Sequence, residues 1–388
     1  MFLGGLMCGA YIGKVPPALP AMRADLGLSL VETGFIATMI NVLGGIVGMF
    51  AGVFADRYGH KRFALAGLAA MAFGGLLGAA AWGYPALLAS RFIEGFGFIL
   101  TTVSGVALMT GVAAPEDRPR ALSMWSTYMP TGGSIALVLA PLAIAAIGWR
   151  GYWVAHAMAA LGCFILIARW VPTPRFGGQV GSLRLARESL AQPGSVSLSL
   201  TFLFYTAQWA AVMVWLPTFA IDKAGASVAV AAWLTAGMVA INIPGNLFGG
   251  WLMSRGAPRG TLIMIASLAQ GLSAAGIFLD LLPDAGRYAA CLSFSFIGGF
   301  IPATVMTGVP VHAKTREHIG TTNGMIMQSS QFGQFVAPIL VAWMVTRFDT
   351  WGAGFWAMAA FAAGATAAGW ATGRFEQRLA RRQAQATG

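Results

Sequence analysis

The stretch "GVFADRYGHKR", Gly52 to Arg62, sets a short charged turn between two long apolar runs. A weaker copy, "GWLMSRGAPR", begins at Gly250, an offset of 198 residues (250 − 52). A second landmark agrees with it. "GGSIALVLAP" ends at Pro141 and "QFGQFVAP" ends at Pro338, 197 residues on (338 − 141). Two unrelated landmarks with one displacement argue for a duplicated unit, each copy holding about half of the chain's apolar segments.

The composition around these copies is that of a membrane protein. The 388 residues are 57% hydrophobic and only 10% charged, against roughly 25% charged in soluble domains. The apolar runs are long enough to span a bilayer as helices and lack the alternation of a barrel strand. Gly, Pro and charge punctuation divides them into twelve. The first six are near 1–23, 31–54, 62–82, 85–113, 119–147 and 150–171. The second six are near 197–221, 228–253, 260–280, 286–312, 318–346 and 351–372. The first span lacks the basic n-region and cleavage site of a signal peptide and reads as a true span.

The net charge of +11 is explained by position rather than by nucleic acid. Arg57, Lys61, Arg62, Arg118, Arg120, Arg175, Arg184, Arg187, Arg255, Arg259, Lys314, Arg316 and the arginines from Arg374 onward fall in alternate loops. The loops between carry little more than Arg23, Arg150, Lys223, Arg287 and Arg347. Positive residues gather on the cytoplasmic side, which places both termini there. The expected domains are a bundle over 1–171, a cytoplasmic linker over 172–196, a bundle over 197–373 and a basic tail over 374–388. A short surface helix is expected near Leu183 to Leu190. Cys8, Cys163 and Cys291 lie in apolar runs without CxxC pairing and read as small buried hydrophobes.

"GVFADRYGHKR" resembles G-x-x-x-D-R-x-G-R-[KR]-[KR], the signature between the second and third spans of the major facilitator superfamily. Gly52, Asp56, Arg57, Gly59, Lys61 and Arg62 match, and His60 stands where arginine is usual. With twelve spans and the repeat, the resemblance covers the whole chain. It implies an all-α membrane protein whose twelve transmembrane helices form two pseudo-symmetric six-helix bundles. It also implies secondary active transport by alternating access, with those six residues as a conformational latch. Ser254 replaces the aspartate in the second copy, so the latch is expected on one half only. "RFIEGFGF", from Arg91, resembles the family's R-x-x-[QE]-G-x-G motif, which is associated with proton coupling. The drug-antiporter signature of the fifth span is absent, although Pro130, Gly132 and Gly133 remain. "GKVPPALPAMRADLGLS" and "WSTYMPTGG" are most similar to the bacterial cyanate-permease-like group. A monomer in the bacterial inner membrane, without cofactor or metal, is what such a resemblance implies.

Lys14, Arg91 and Glu94 are the charges that fall well inside spans. Lys14 is nine residues before Arg23, about 13 Å at helical rise, too deep to snorkel. Pro16 and Pro17 follow it and damage the helix that carries it. Ionisable groups at this depth face a cavity and a partner, and broken backbone is tolerated where it lines water or is buried by protein. Two readings stay open. The three groups pair to hold helices together, or their net positive charge attracts an anion, with Glu94 as the protonation site.

Further solute-lining candidates are Tyr11, Trp125, Tyr128, Tyr205, Gln208, Trp209, Asn323, Gln328 and Gln331. The amides of "TTNGMIMQSSQFGQ" either bind a polar solute or join helices. Trp149 and Trp153 read as interface-belt tryptophans.

Enzyme motifs are missing: no HExxH, no GxSxG and no acid pair, and His156 is alone in its span. Nineteen methionines suggest a soft-metal importer, yet no two are three or four apart. The sequence therefore points to a proton-coupled carrier of a small polar solute, an anion by preference. Proton-driven efflux of amphipathic compounds is the alternative.

Overall fold

The computed structural model describes residues 1–112, 125, 127–172, 183–315 and 318–387. They are helical throughout, with no strand among the described residues. In chain order the helices are α1 (Phe2–Gly13), α2 (Val15–Leu26), α3 (Leu30–Thr38), α4 (Val42–Tyr58), α5 (His60–Ala79), α6 (Tyr84–Val112) and α7 (Tyr128–Trp170). There follow α8 (Leu183–Leu190), α9 (Pro193–Ala224), α10 (Val228–Ser254), α11 (Arg259–Phe278), α12 (Asp284–Gly298), α13 (Phe300–His312), α14 (His318–Phe348) and α15 (Gly354–Thr387).

Among the described residues, eight helical stretches are long and apolar enough to cross a membrane by themselves. The element order makes twelve passes, because α7 counts as two and α1–α2, α14 and α15 add three more to these eight, among which α3–α4 and α12–α13 are broken spans. Within α7, Tyr152 donates its hydroxyl to the Ala136 carbonyl at 2.7 Å. A straight helix would hold residues sixteen apart about 24 Å from each other, so the chain folds back. It does so at Gly148, where φ is 68° and ψ is 173°, a conformation that favours glycine. The clasp over this turn is Asp25, which pairs with Arg150 and accepts from Trp149 Nε1 at 3.0 Å.

The break in the first span falls at Lys14. α1 ends at Gly13, and Pro16 and Pro17 fall in the first turn of α2, where a helix makes no use of the amides they lack. Glycines bring α1 against α7. A methyl at Gly9 would come within 2.6 Å of the Met129 carbonyl oxygen, and one at Gly13 within 2.6 Å of the Gly133 oxygen. Backbones this close rely on small residues at the crossing.

Two compact units emerge. The first comprises Met1–Val180 with Ala211–Ala240, and the second Gly181–Ala210 with Ile241–Gly388. In the first, the 211–240 hairpin meets α7 through the Trp233 indole, whose N–H donates to the Val138 carbonyl at 3.4 Å. In the second, α8 is tied to the start of α14. Glu188 accepts from Lys314 at 2.8 Å and lies 3.2 Å from His318 Nε2.

Candidate functional site

The residues brought together most tightly lie in the first unit, where α1, α5, α6 and the second arm of α7 meet. Lys14 Nζ donates to Glu94 Oε1 at 2.8 Å, and Arg91 pairs with Glu94 Oε2. All three side chains are completely buried. Lys14 is therefore enclosed rather than open, because Glu94 and two aromatic faces replace its water. Its ammonium lies 3.8 Å from the Tyr11 ring centroid and 4.5 Å from that of Trp153. Cation–π contact of this kind strengthens as the site is desolvated.

Each group is held from outside the triad. Arg91 Nε donates to the Ile36 carbonyl at 3.0 Å, and Nη1 donates to that of Tyr11 at 3.3 Å. The Tyr11 hydroxyl donates to the Met71 carbonyl at 2.9 Å, and its ring meets His156 edge-on. The His156 Nδ1 lies 2.9 Å from the Tyr152 carbonyl oxygen, a satisfied structural histidine. α5 forms the bed with its small residues. A methyl at Gly74 would come within 2.8 Å of Glu94, and one at Gly78 within 2.9 Å of Trp153. Two buried donors, Arg91 Nη2 and Trp153 Nε1, have no partner among the described residues.

Trp153 corrects the sequence reading, and so does Trp149. Neither ring faces lipid: Trp153 is fully buried over Lys14, and Trp149 is buried on Asp25. Each indole finds a charged group within the protein, a stronger pull than the headgroup region offers.

The remaining candidates are divided between the two units. Trp125 and Tyr128 pack on each other at 4.7 Å between centroids, with the Trp125 ring against Gly5. Tyr205 accepts from Asn242 Nδ2 at 3.2 Å. Gln208 Nε2 turns back onto the Phe204 carbonyl of its own helix at 3.4 Å, and Trp209 is buried. Asn323, Gln328 and Gln331 are half-buried on α14, where Gln334 donates to the Ser330 hydroxyl at 3.1 Å. Of the latch residues, Gly59 takes φ 98° between α4 and α5, and Lys61 donates to the Ala168 carbonyl at 3.1 Å. Arg62 is exposed. Gly52, Asp56 and Arg57 fall in α4 outside the residues whose side chains are described.

One charged cluster had no counterpart in the sequence reading. At the basic end of the second unit, Arg259 Nε donates to Glu376 at 2.7 Å, and His312 Nε2 lies 3.2 Å from the same oxygen. Arg259 also donates to the Thr304 carbonyl and, at 2.8 Å, to the Thr307 hydroxyl. Burial pushes the Glu376 carboxyl up, but the His312 and Arg259 hydrogen bonds outweigh it and hold it below its ordinary value. Among the described residues, no group of three His, Cys, Asp or Glu side chains is placed to hold a metal ion.

Comparison with known proteins gives this arrangement its context. The 3-(3-hydroxy-phenyl)propionate transporter of Escherichia coli is 26% identical over 304 residues, covering 77% of this chain and 70% of its own. The probable 4-methylmuconolactone transporter of Cupriavidus pinatubonensis is 26% identical over 357 residues, 79% of this chain and 80% of its own. Matches over half of this chain or less include a cephamycin export protein and a puromycin resistance protein. Among solved structures, a bacterial homologue of the human lysosomal transporter Spinster superposes with a TM-score of 0.74. It shares 18% identity, over 96% of this chain and 93% of that one, a likeness of fold alone. The family profile of the Major Facilitator Superfamily matches residues 1–338. With this profile spanning most of its length and the fold agreeing, the chain belongs to the Major Facilitator Superfamily, a family of secondary transporters and not of enzymes.

Proposed function

We infer that this transporter carries a small polar solute, an organic or inorganic anion, by alternating access and couples it to protons. One observation carries the reading. Lys14 and Arg91 share the single carboxylate of Glu94, and all three are fully buried. The formal balance is one positive charge in a low-dielectric site, which attracts an anion. In this reading Lys14 supplies the charge for the solute's anionic group, Arg91 supports it, and Glu94 carries the coupled proton. The organic-acid name of one relative, a propionate transporter, fits the same ligand class.

Around this centre, Tyr11, Trp125, Tyr128, Tyr205, Gln208, Trp209, Asn323, Gln328 and Gln331 are taken as solute-lining. Asp56, with Gly52, Arg57, Gly59, Lys61 and Arg62, is taken as the latch between facing states. We place both termini in the cytoplasm of a bacterium, with bundles over 1–171 and 197–373, the linker over 172–196 and the tail over 374–388. The protein works as a monomer in the inner membrane. Within the family it stands nearest the cyanate-permease-like group, on "GKVPPALPAMRADLGLS" and "WSTYMPTGG" alone.

The test is counterflow in proteoliposomes, after a thermal-shift screen of small carboxylates and inorganic anions to find a ligand. Lys14→Gln abolishes uptake, Lys14→Arg keeps part of it, and Glu94→Gln exchanges solute without proton-driven accumulation. A folded Lys14→Gln protein that transports normally refutes the assignment. The cephamycin export protein and the puromycin resistance protein among the matches favour a second reading, efflux of amphipathic compounds. Growth resistance to such compounds, without counterflow of any anion, would establish it instead.

A further inference from the structure

The second unit contains a buried polar centre of its own, built without charge. Asn242 on α10 donates to the Ser295 carbonyl of α12 at 2.8 Å and to the Tyr205 hydroxyl of α9 at 3.2 Å. Gln270 of α11 is completely buried, and neither its Oε1 nor its Nε2 has a partner among the described residues. The Ser295 hydroxyl is likewise fully buried and unpartnered there. These groups share one neighbourhood. A methyl added at Gly298, one turn past Ser295, would overlap the Gln270 amide and come within 3.3 Å of the Tyr205 ring.

The backbone is interrupted at the same level. α12 ends at Gly298 and α13 begins at Phe300. Pro302 has no amide to offer the Gly298 carbonyl four residues back. The Ser295 carbonyl already accepts twice, from Asn242 and from the Gly299 amide at 3.0 Å. Buried polar groups are nearly always paired by protein or by ordered water, and an unsatisfied amide in a membrane core is costly.

The chemistry of the missing partner follows from the residues. Tyr205, Asn242, Gln270 and Ser295 are all neutral, so an ion placed among them would have no counter-charge. The partner must accept from Gln270 Nε2 and donate to Gln270 Oε1, and a hydroxyl does both. We propose that Gln270 and Ser295, framed by Tyr205 and Asn242, bind a neutral hydroxyl group, that of a resident water or that of the transported solute. The second source rests on reading the chain as an organic-anion carrier. If the solute supplies the hydroxyl, the site selects for it, because a site built to bond an O–H strongly rejects the analogue lacking one.

The experiment uses the full chain in lipid nanodiscs, with 3-(3-hydroxyphenyl)propionate and 3-phenylpropionate as the probe pair. Affinities are compared for the wild type, Gln270→Leu and Ser295→Ala, and the solute-free protein is imaged at a resolution that shows ordered water. A solute hydroxyl predicts that the wild type prefers the hydroxy acid by about 100-fold or more. Gln270→Leu and Ser295→Ala then erode that preference while affinity for 3-phenylpropionate is unchanged. A resident water predicts no preference in any variant and a water bridging Gln270 and Ser295 in the solute-free map. The proposal is overturned if the Gln270 amide is bonded to protein groups with no water present and neither variant alters the affinity ratio. If neither acid binds but the water is seen, the hydroxyl site stands and the organic-acid form of the anion reading fails. Ser295→Ala, a small change, keeps the test open should Gln270→Leu not fold.

Discussion

Each unit of this chain holds one fully buried polar centre, and the two centres are built in opposite ways, apart from the Arg259–Glu376 pair at the basic end of the second unit. The first unit buries Lys14, Glu94 and Arg91 as ions with one carboxylate between two cations. The second buries Tyr205, Asn242, Gln270 and Ser295 as neutral hydrogen-bonding groups. A neutral group that loses its partner forfeits a hydrogen bond, whereas an ion that loses its partner is left charged in a medium that cannot solvate it. The ionised centre should therefore be intolerant of single changes and tolerant of paired ones. The neutral centre should be moderately sensitive to each change separately.

The largest effect is expected from Glu94→Gln, which in the solute-free protein leaves both cations without an anion and costs about 3–5 kcal/mol, a loss that a bound solute anion would offset. The double variant with Lys14→Gln should recover much of that loss, since only Arg91 then remains. Thermal unfolding of the two single variants and the double one gives the coupling directly. Additive losses would remove the ionic half of the comparison.

Next comes Glu376→Gln in the second unit, which takes the charge from the acceptor of the Arg259 and His312 hydrogen bonds and leaves Arg259 without a counter-ion, at a cost of about 1.5–3 kcal/mol. The pH dependence has a definite sign. The folded carboxyl titrates below its unfolded value of about 4.3. It therefore contributes stability above that pH and loses it as pH falls through the folded value. Wild-type melting temperature should drop more steeply than that of Glu376→Gln when pH is lowered from 5 to about 3. Parallel curves would show that this cluster does not set the acid response.

A smaller change is expected from Asn242→Leu, about 1 kcal/mol, because Ser295 keeps the Gly299 amide when Asn242 is removed. A loss as large as that of Glu94→Gln would mean that the neutral centre behaves like the ionic one. The smallest belongs to Asp25→Asn, whose ion pair with Arg150 is exposed. Hydrogen bonds from Arg150 and Trp149 hold the Asp25 carboxyl below the ordinary range. Its contribution should be abolished by salt, and added salt should bring wild-type and variant melting temperatures together.

What was legible in the sequence follows from how each feature is encoded. Lys14 stood out because a charge within an apolar run is conspicuous, and its pairing with Glu94 was one of two open readings. The choice of partner depends on a contact between residues 80 apart, which no local pattern records. Trp153 was misread because an amphipathic ring near a span end looks the same whether it faces lipid headgroups or a buried ammonium. Gln270 gave no signal at all. A lone amide in "IMIASLAQGLSAAG" has no periodic partner, and its surroundings come from three other helices. The Arg259–Glu376 pair was hidden for a similar reason: both residues read as parts of basic loops, 117 residues apart.

The turn at Gly148 has a consequence for how the protein is handled. Only one residue departs from helical geometry between two membrane-length arms, so the two arms form a helical hairpin with no loop between them. Ala145 to Gly148 are exposed, but an insertion there has no loop to lengthen and would have to open the one-residue turn itself. A flexible tag is better placed elsewhere, because Asp25 and Arg150 clasp the helix ends on either side of the turn.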